Sequence, residues 1–149
     1  MGSRRVGCLE AAVLSLVVSM VAHIALTGST FAAEDEDAAA LCAEAAERYE
    51  AMTGRAPGDE DVTIVLAYKY NFCPKHLQVR TGMTVRWVNV EKRTNHSVWF
   101  KQAGRDETER FFPEENVEQT LDLPPGDHPY LCGPHWESHG MVGTVTVTE

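Results

Sequence analysis

The sequence is poor in positive charge. Its 149 residues carry 13 Lys and Arg against 22 Asp and Glu, a formal net charge of −9. That balance makes nucleic acid and anionic membrane surfaces poor partners, and its plainest meaning is solubility. The chain also lacks an apolar run of the roughly 20 residues needed to span a bilayer. Its longest candidate, residues 11–26, is interrupted by Ser15, Ser19 and His23. No internal repeat is present, and no low-complexity tract beyond one Ala-rich segment. Length and composition together fit one domain.

The short apolar run has a different meaning at its place in the chain. Arg4 and Arg5 precede it, and the small-residue stretch Thr30-Phe31-Ala32-Ala33 closes it. A charged start, an apolar middle and a small-residue end read as a secretory signal peptide over residues 1–32, cut after Ala32. The expected location is the periplasm, with membrane contact only through this segment if it stays uncleaved. Cleavage removes Arg4, Arg5 and Glu10, which moves the formal charge from −9 to −10. Three cysteines remain: Cys42, Cys73 and Cys132. Thiols in an oxidising compartment tend to pair, so an odd number leaves one over, and a metal is one reason to keep it.

Residues 33–61 read as a helix and linker. Ala and Glu, both strong helix formers, dominate residues 38–52, and Asp37 is placed to cap them. Ala38, Cys42, Ala45, Tyr49 and Met52 recur at spacings of three and four and so share one face. Gly54 and Pro57 stop the helix. From Val62 the period changes to two: Ile64, Leu66, Tyr68, Tyr70 and Phe72 alternate, which predicts a strand with one buried face. Further strands are expected over residues 77–80, 83–90, 96–101, 117–123, 128–132 and 141–148. Turn signals separate them at Thr81-Gly82, Pro124-Pro125-Gly126-Asp127 and Gly133-Pro134. About seven short strands in residues 62–149 predict an all-β sandwich.

The chemistry concentrates in Cys132-Gly133-Pro134-His135, then Met141, with His96 upstream. Singly, Cys132 reads as half a disulfide, His96 as a surface residue and Met141 as core filler. Together a thiolate, two imidazoles and a weak thioether make a type 1 copper site. Soft sulfur suits Cu(I), imidazole suits both oxidation states, and a geometry between their preferences speeds electron exchange. Three ligands on one loop between strands can converge, and the fourth must come from a neighbouring strand. Zinc takes the same Cys and His donors, but a thioether favours copper. His139 is a rival to Met141 as the fourth ligand. His76 and His128 read as surface residues.

Phe72-Cys73-Pro74, Leu77-Gln78-Val79, Gly82-Met83-Thr84-Val85-Arg86-Trp87-Val88-Asn89, Asn95-His96-Ser97-Val98 and the Cys132–His135 and Gly140–Gly143 runs resemble the cupredoxins, the plastocyanin, azurin and pseudoazurin group. The resemblance implies a Greek-key β-sandwich of seven or eight strands, with the N-terminal α-helix as an addition, and one copper near one end. It implies ligands His96, Cys132, His135 and Met141, and no enzymatic activity. His-x-His pairs and extra domains, which multicopper enzymes need, are missing. The loop departs from the plastocyanin-like spacing: five residues, Trp136 to Gly140, separate His135 from Met141 instead of four. The helix with Cys42 is a second departure, and a Cys42–Cys73 disulfide would staple it to the sandwich and leave Cys132 free. The extension and the modified loop together are similar to those of the periplasmic copper-tolerance subgroup. Asn95 is placed to hydrogen-bond across to the Cys132 loop, or to make a turn, and Trp136 to flank His135. The function implied is one-electron transfer by a monomer to a redox partner protein; the alternative is tolerance of excess Cu(I) by binding or oxidising it.

Overall fold

The computed structural model describes residues 30–149, with side chains from Glu36 onward. The expected signal segment lies outside the described residues, except for positions 30–32, which open the first helix. That helix, α1, runs Thr30–Thr53, eight residues longer at its start than the Ala/Glu pattern predicts. No Gly or Pro lies between Thr30 and Thr53, so nothing within that stretch opposes helix propagation toward Thr30. Asp37 therefore stands inside the helix and is not its cap. Gly54, at φ +76°, ends it, with its N–H donating to the Glu50 carbonyl at 2.8 Å. Ala45 and Tyr49 are buried and Cys42 is half-buried, as their spacing requires, whereas Ala38 and Met52 at the ends of the same stripe are exposed. The expected linker contains a 3-10 turn at Pro57–Asp59.

Seven strands follow: β1 Thr63–Tyr68, β2 Asn71–Cys73, β3 His76–Arg80, β4 Thr84–Asn89, β5 Asn116–Thr120, β6 Gly126–Leu131 and β7 Val142–Thr148. They form a four-stranded sheet of order β2-β1-β4-β5 and a three-stranded sheet of order β3-β7-β6. β1 pairs parallel with β4 and β3 parallel with β7, while the other pairs are antiparallel. The chain passes between sheets after β2, after β3 and after β5, the path of a Greek-key sandwich.

The single strand expected across residues 64–72 is a hairpin. Lys69 and Tyr70 both take positive φ, 46° and 59°, the two-residue turn whose twist matches the strands it joins. Asn71 Nδ2 donates to the Lys69 carbonyl at 2.8 Å and holds this turn. β1 is also buried on both faces. Val65 and Ala67 enter the core between the sheets with Phe72, Val85, Trp87, Phe100, Leu121, Tyr130 and Val145. Ile64, Leu66 and Tyr68 point the other way and pack with Ala45, Tyr49, Cys73, Val88 and Val90. The helix supplies the cover that an alternating strand alone leaves out. Cys42 and Cys73 are disulfide-bonded, with Cα atoms 5.2 Å apart, so the bond joins α1 to β2 inside this second cluster.

The strand expected over residues 96–101 does not form. His96 pairs with Phe111, whereas Trp99 pairs with Leu131 of β6. The segment crosses the gap between the sheets and cannot belong to either one. That crossing brings His96 to the end of the sandwich where β6 finishes.

Candidate metal centre

His96 is held by a folded turn beneath it. Asn89, fully buried, donates through Nδ2 to the carbonyls of Thr94 (2.6 Å) and Phe111 (3.3 Å), and its Oδ1 accepts the Glu91 N–H at 2.9 Å. Backbone bonds of 3.0 and 2.9 Å tie His96 to Phe111 on its other side. The imidazole is fully buried. Its Nδ1 faces the Cys132 Sγ at 3.6 Å and its Nε2 lies 3.2 Å from the Glu91 carboxylate. A proton on Nε2, donated to Glu91, leaves the Nδ1 lone pair aimed at the thiol. Burial works to raise the Glu91 carboxyl, but hydrogen bonds from His96 and Thr94 outweigh it and hold the group below the ordinary carboxylate range.

Cys132 follows the last residue of β6. Its N–H donates to the Met141 carbonyl at 3.0 Å, and its carbonyl accepts the N–H groups of His135 (3.0 Å) and Trp136 (2.9 Å). The five residues between His135 and Met141 are taken up by one helical turn: α2 spans Trp136–His139 and closes on Gly140, at φ +64°. The loop therefore returns, and the Met141 N–H reaches the His135 carbonyl at 3.4 Å. Burial pushes the Cys132 thiol up, partly opposed by the N–H groups of Ser97 and His135. Burial, with the neighbouring His96 and His139, lowers His135. The His135 ring thus favours the neutral form that a metal needs.

The ligand-capable atoms of His96, Cys132 and His135 all lie within 4.8 Å of one another. Cys132 Sγ is 3.3 Å from His135 Nδ1. Bonds of roughly 2.0–2.3 Å from S and N donors to one small cation set those donors about 3.5 Å apart, so the observed spacings fit a shared ion. Met141 is 1% exposed and belongs to the same buried cluster as Cys132. His139 is exposed. Its ring stacks on Tyr70 at 3.7 Å and 16°, and its Nδ1 lies 2.7 Å from the Ser138 hydroxyl. Trp136 flanks the loop with Lys101 Nζ 4.9 Å above its ring.

The cross-link expected of Asn95 is made by Ser97 instead. The Gly133 N–H donates to the Ser97 hydroxyl at 2.9 Å, and that hydroxyl donates to the Glu107 carboxylate at 2.6 Å. In the crossing segment Asn95 lies short of the point where the chain meets the Cys132 loop, and Ser97 lies at it. Sequence reasoning also missed Glu91 and Tyr70. Their sole signal is nearness in sequence to His96 and to the β1–β2 turn, and neither spacing predicts contact with the site.

The fold and the donor set together define a class: a cupredoxin, a β-sandwich with a copper centre at one end. The family model described as copper binding proteins, plastocyanin/azurin family, matches residues 61–148, and the chain belongs to that family. The plastocyanin of Nostoc punctiforme is 31% identical over 51% of this chain, and the chain spans 63% of that relative's length. Among solved structures, amicyanin from Paracoccus versutus (Thiobacillus versutus) is 28% identical with a TM-score of 0.51, over 62% of this chain and 89% of that one. A proline-to-glycine mutant of amicyanin, in its reduced Cu(I) form at pH 4, is 26% identical with a TM-score of 0.52, over 60% and 84%. Copper is the cofactor these findings support, and residues 96, 132 and 135 offer a donor set that fits it.

Proposed function

We propose that the chain is an exported one-electron carrier with one type 1 copper held by His96, Cys132, His135 and Met141. The convergence of a buried thiol and two imidazole nitrogens within 4.8 Å carries this reading. Copper bound there would supply a Cu(II)/Cu(I) couple with a thiolate, two imidazoles and a thioether around it. The surrounding residues do the rest. The sandwich fixes the donors, the buried Met141 lies beside Cys132, and the exposed His139 is engaged with Tyr70. His96 is sealed from solvent while His135 is half-buried, so the His135 ring is the natural contact for a redox partner protein. The signal-like start and the Cys42–Cys73 disulfide support the periplasm, since disulfides persist in oxidising compartments. The N-terminal helix and the longer ligand loop resemble the copper-tolerance subgroup, but neither adds a residue to the His96, Cys132 and His135 group, and the reading is of a monomer without enzymatic activity.

Potentiometry on the copper-loaded protein tests this. The expected result is one reversible electron per copper, with the metal retained through repeated cycles. Loss of the metal on reduction, or an irreversible couple, would remove the carrier reading. In cells, a deletion strain should lose respiratory rate and grow normally on copper; the opposite pattern would favour tolerance.

A further inference from the structure

The charged stretch between residues 102 and 115 contributes no strand to the sandwich, yet it is tied to the site. Its second half runs antiparallel beside the segment that carries His96. The Thr108 N–H donates to the Val98 carbonyl at 3.0 Å, the Val98 N–H donates to the Thr108 hydroxyl at 2.9 Å, and Phe111 pairs with His96. These contacts fix the backbone after Glu107, and the Arg105 N–H on the Phe100 carbonyl (3.3 Å) and the Trp99 Nε1–H on the Arg105 carbonyl (2.9 Å) fix it before. Its side chain is 31% exposed, with Arg110 Nη2 at 3.7 Å, and its inner oxygen reaches the fully buried Ser97 hydroxyl at 2.6 Å.

Ser97 faces the Cys132 loop, and its hydroxyl accepts the Gly133 N–H at 2.9 Å. A hydroxyl has one proton to give. While it accepts from Gly133 in a buried place, that proton needs an acceptor, because an unpaired buried donor is costly. The Glu107 carboxylate is that acceptor. It also packs directly on Gly133: a Cβ built there would collide with the carboxylate. Two independent contacts therefore join the strap to the residue that follows Cys132.

We propose that Glu107 is a positioning residue for the Cys132 loop, acting through the Ser97 hydroxyl and by direct contact with Gly133. It orients the hydroxyl toward Glu107 and so fixes its lone pair on the Gly133 amide, which holds the thiol's direction before metal enters. Removing the group should loosen one turn of the loop without unfolding the sandwich.

The experiment uses the full chain and four variants: Glu107→Ala, Glu107→Gln, Gly133→Ala and the Glu107→Ala/Gly133→Ala double. In the metal-free protein, amide exchange of Gly133 should speed up about tenfold or more in Glu107→Ala, while the amides of β7 keep their rates. Glu107→Gln retains an oxygen acceptor and should restore the wild-type rate. In the copper-loaded protein, Glu107→Ala should shift the thiolate-to-copper absorption and weaken copper binding by about tenfold, the lower end for residues behind the ligands, and Gln should again rescue. Gly133→Ala displaces the carboxylate, so the Glu107→Ala/Gly133→Ala double variant should cost no more than the worse single one. Unchanged Gly133 exchange in Glu107→Ala overturns the proposal, as does acceleration shared equally by β7, failure of Gln to rescue, or full additivity of the two substitutions. The loaded arm rests on the copper reading and the metal-free arm does not. If copper gave no thiolate absorption, the proposed function would fail while the exchange rates still decided the role of Glu107.

Discussion

Replacing Cys42 and Cys73 together by Ala should destabilise the protein strongly and leave the metal centre spectroscopically intact. The bond closes a loop with a sequence separation of 31. In the chain-entropy description, the constraint on the unfolded chain is about 12 cal/mol/K for such a loop, or roughly 3.7 kcal/mol at 25 °C. For a folded body of about 120 residues the same figure lowers the thermal midpoint by roughly 15 °C. The effect should be confined to stability because the two sulfurs sit in the cluster of Ala45, Tyr49, Ile64 and Leu66, on the far side of β1 from the core that contains Cys132. Denaturant unfolding followed by far-ultraviolet circular dichroism measures the loss, and the copper absorption of the loaded protein reports the site. A cost below about 1 kcal/mol would show that the helix is held by packing alone and refute the entropic argument. A changed copper spectrum would refute the claim that the two clusters are independent.

Met141→Leu should keep the thiolate absorption, move its bands and raise the reduction potential, since a donor to Cu(II) is lost, whereas His139→Ala should leave the spectrum nearly unchanged. If the histidine variant moves the spectrum more, the fourth ligand is His139. Glu91→Gln removes the negative acceptor from His96 Nε2, 3.2 Å away, and should favour Cu(I) by a factor of about three to ten, a rise of about 30–60 mV for a one-electron couple. A potential that falls or stays fixed in cyclic voltammetry would show that the carboxylate does not act on the centre.

The site is more legible in the sequence than its surroundings. Cys132, His135 and Met141 share one loop, so their spacing carries the geometry, and the Thr144–Thr148 alternation places that loop against a strand. The disulfide-linked helix is legible from residue type and period. What fails is the extent of elements whose pairing depends on distant partners. Alternation through Tyr70 looks continuous because its side chain keeps the parity, and nothing local demands positive φ at Lys69 and Tyr70. Residues 96–101 have strand-like composition, but they bond to Phe111 on one side and Leu131 on the other. The acceptors behind the ligands, Glu91 and Glu107, come from turns whose path is set by the buried Asn89 and by Thr108, contacts with no periodicity to read. Asn95 and Ser97 flank His96 equally closely in sequence, and only the register of the crossing segment decides which of them meets the Cys132 loop.

The central claim is that the Cys132 thiolate bonds copper in a type 1 centre. Adding one equivalent of Cu(II) to the reduced-thiol protein and recording its visible absorption tests it directly. The expected result is an intense thiolate-to-copper band that Cys132→Ser abolishes. A colourless protein that holds copper in an ordinary tetragonal site, or a band that survives in Cys132→Ser, would contradict it.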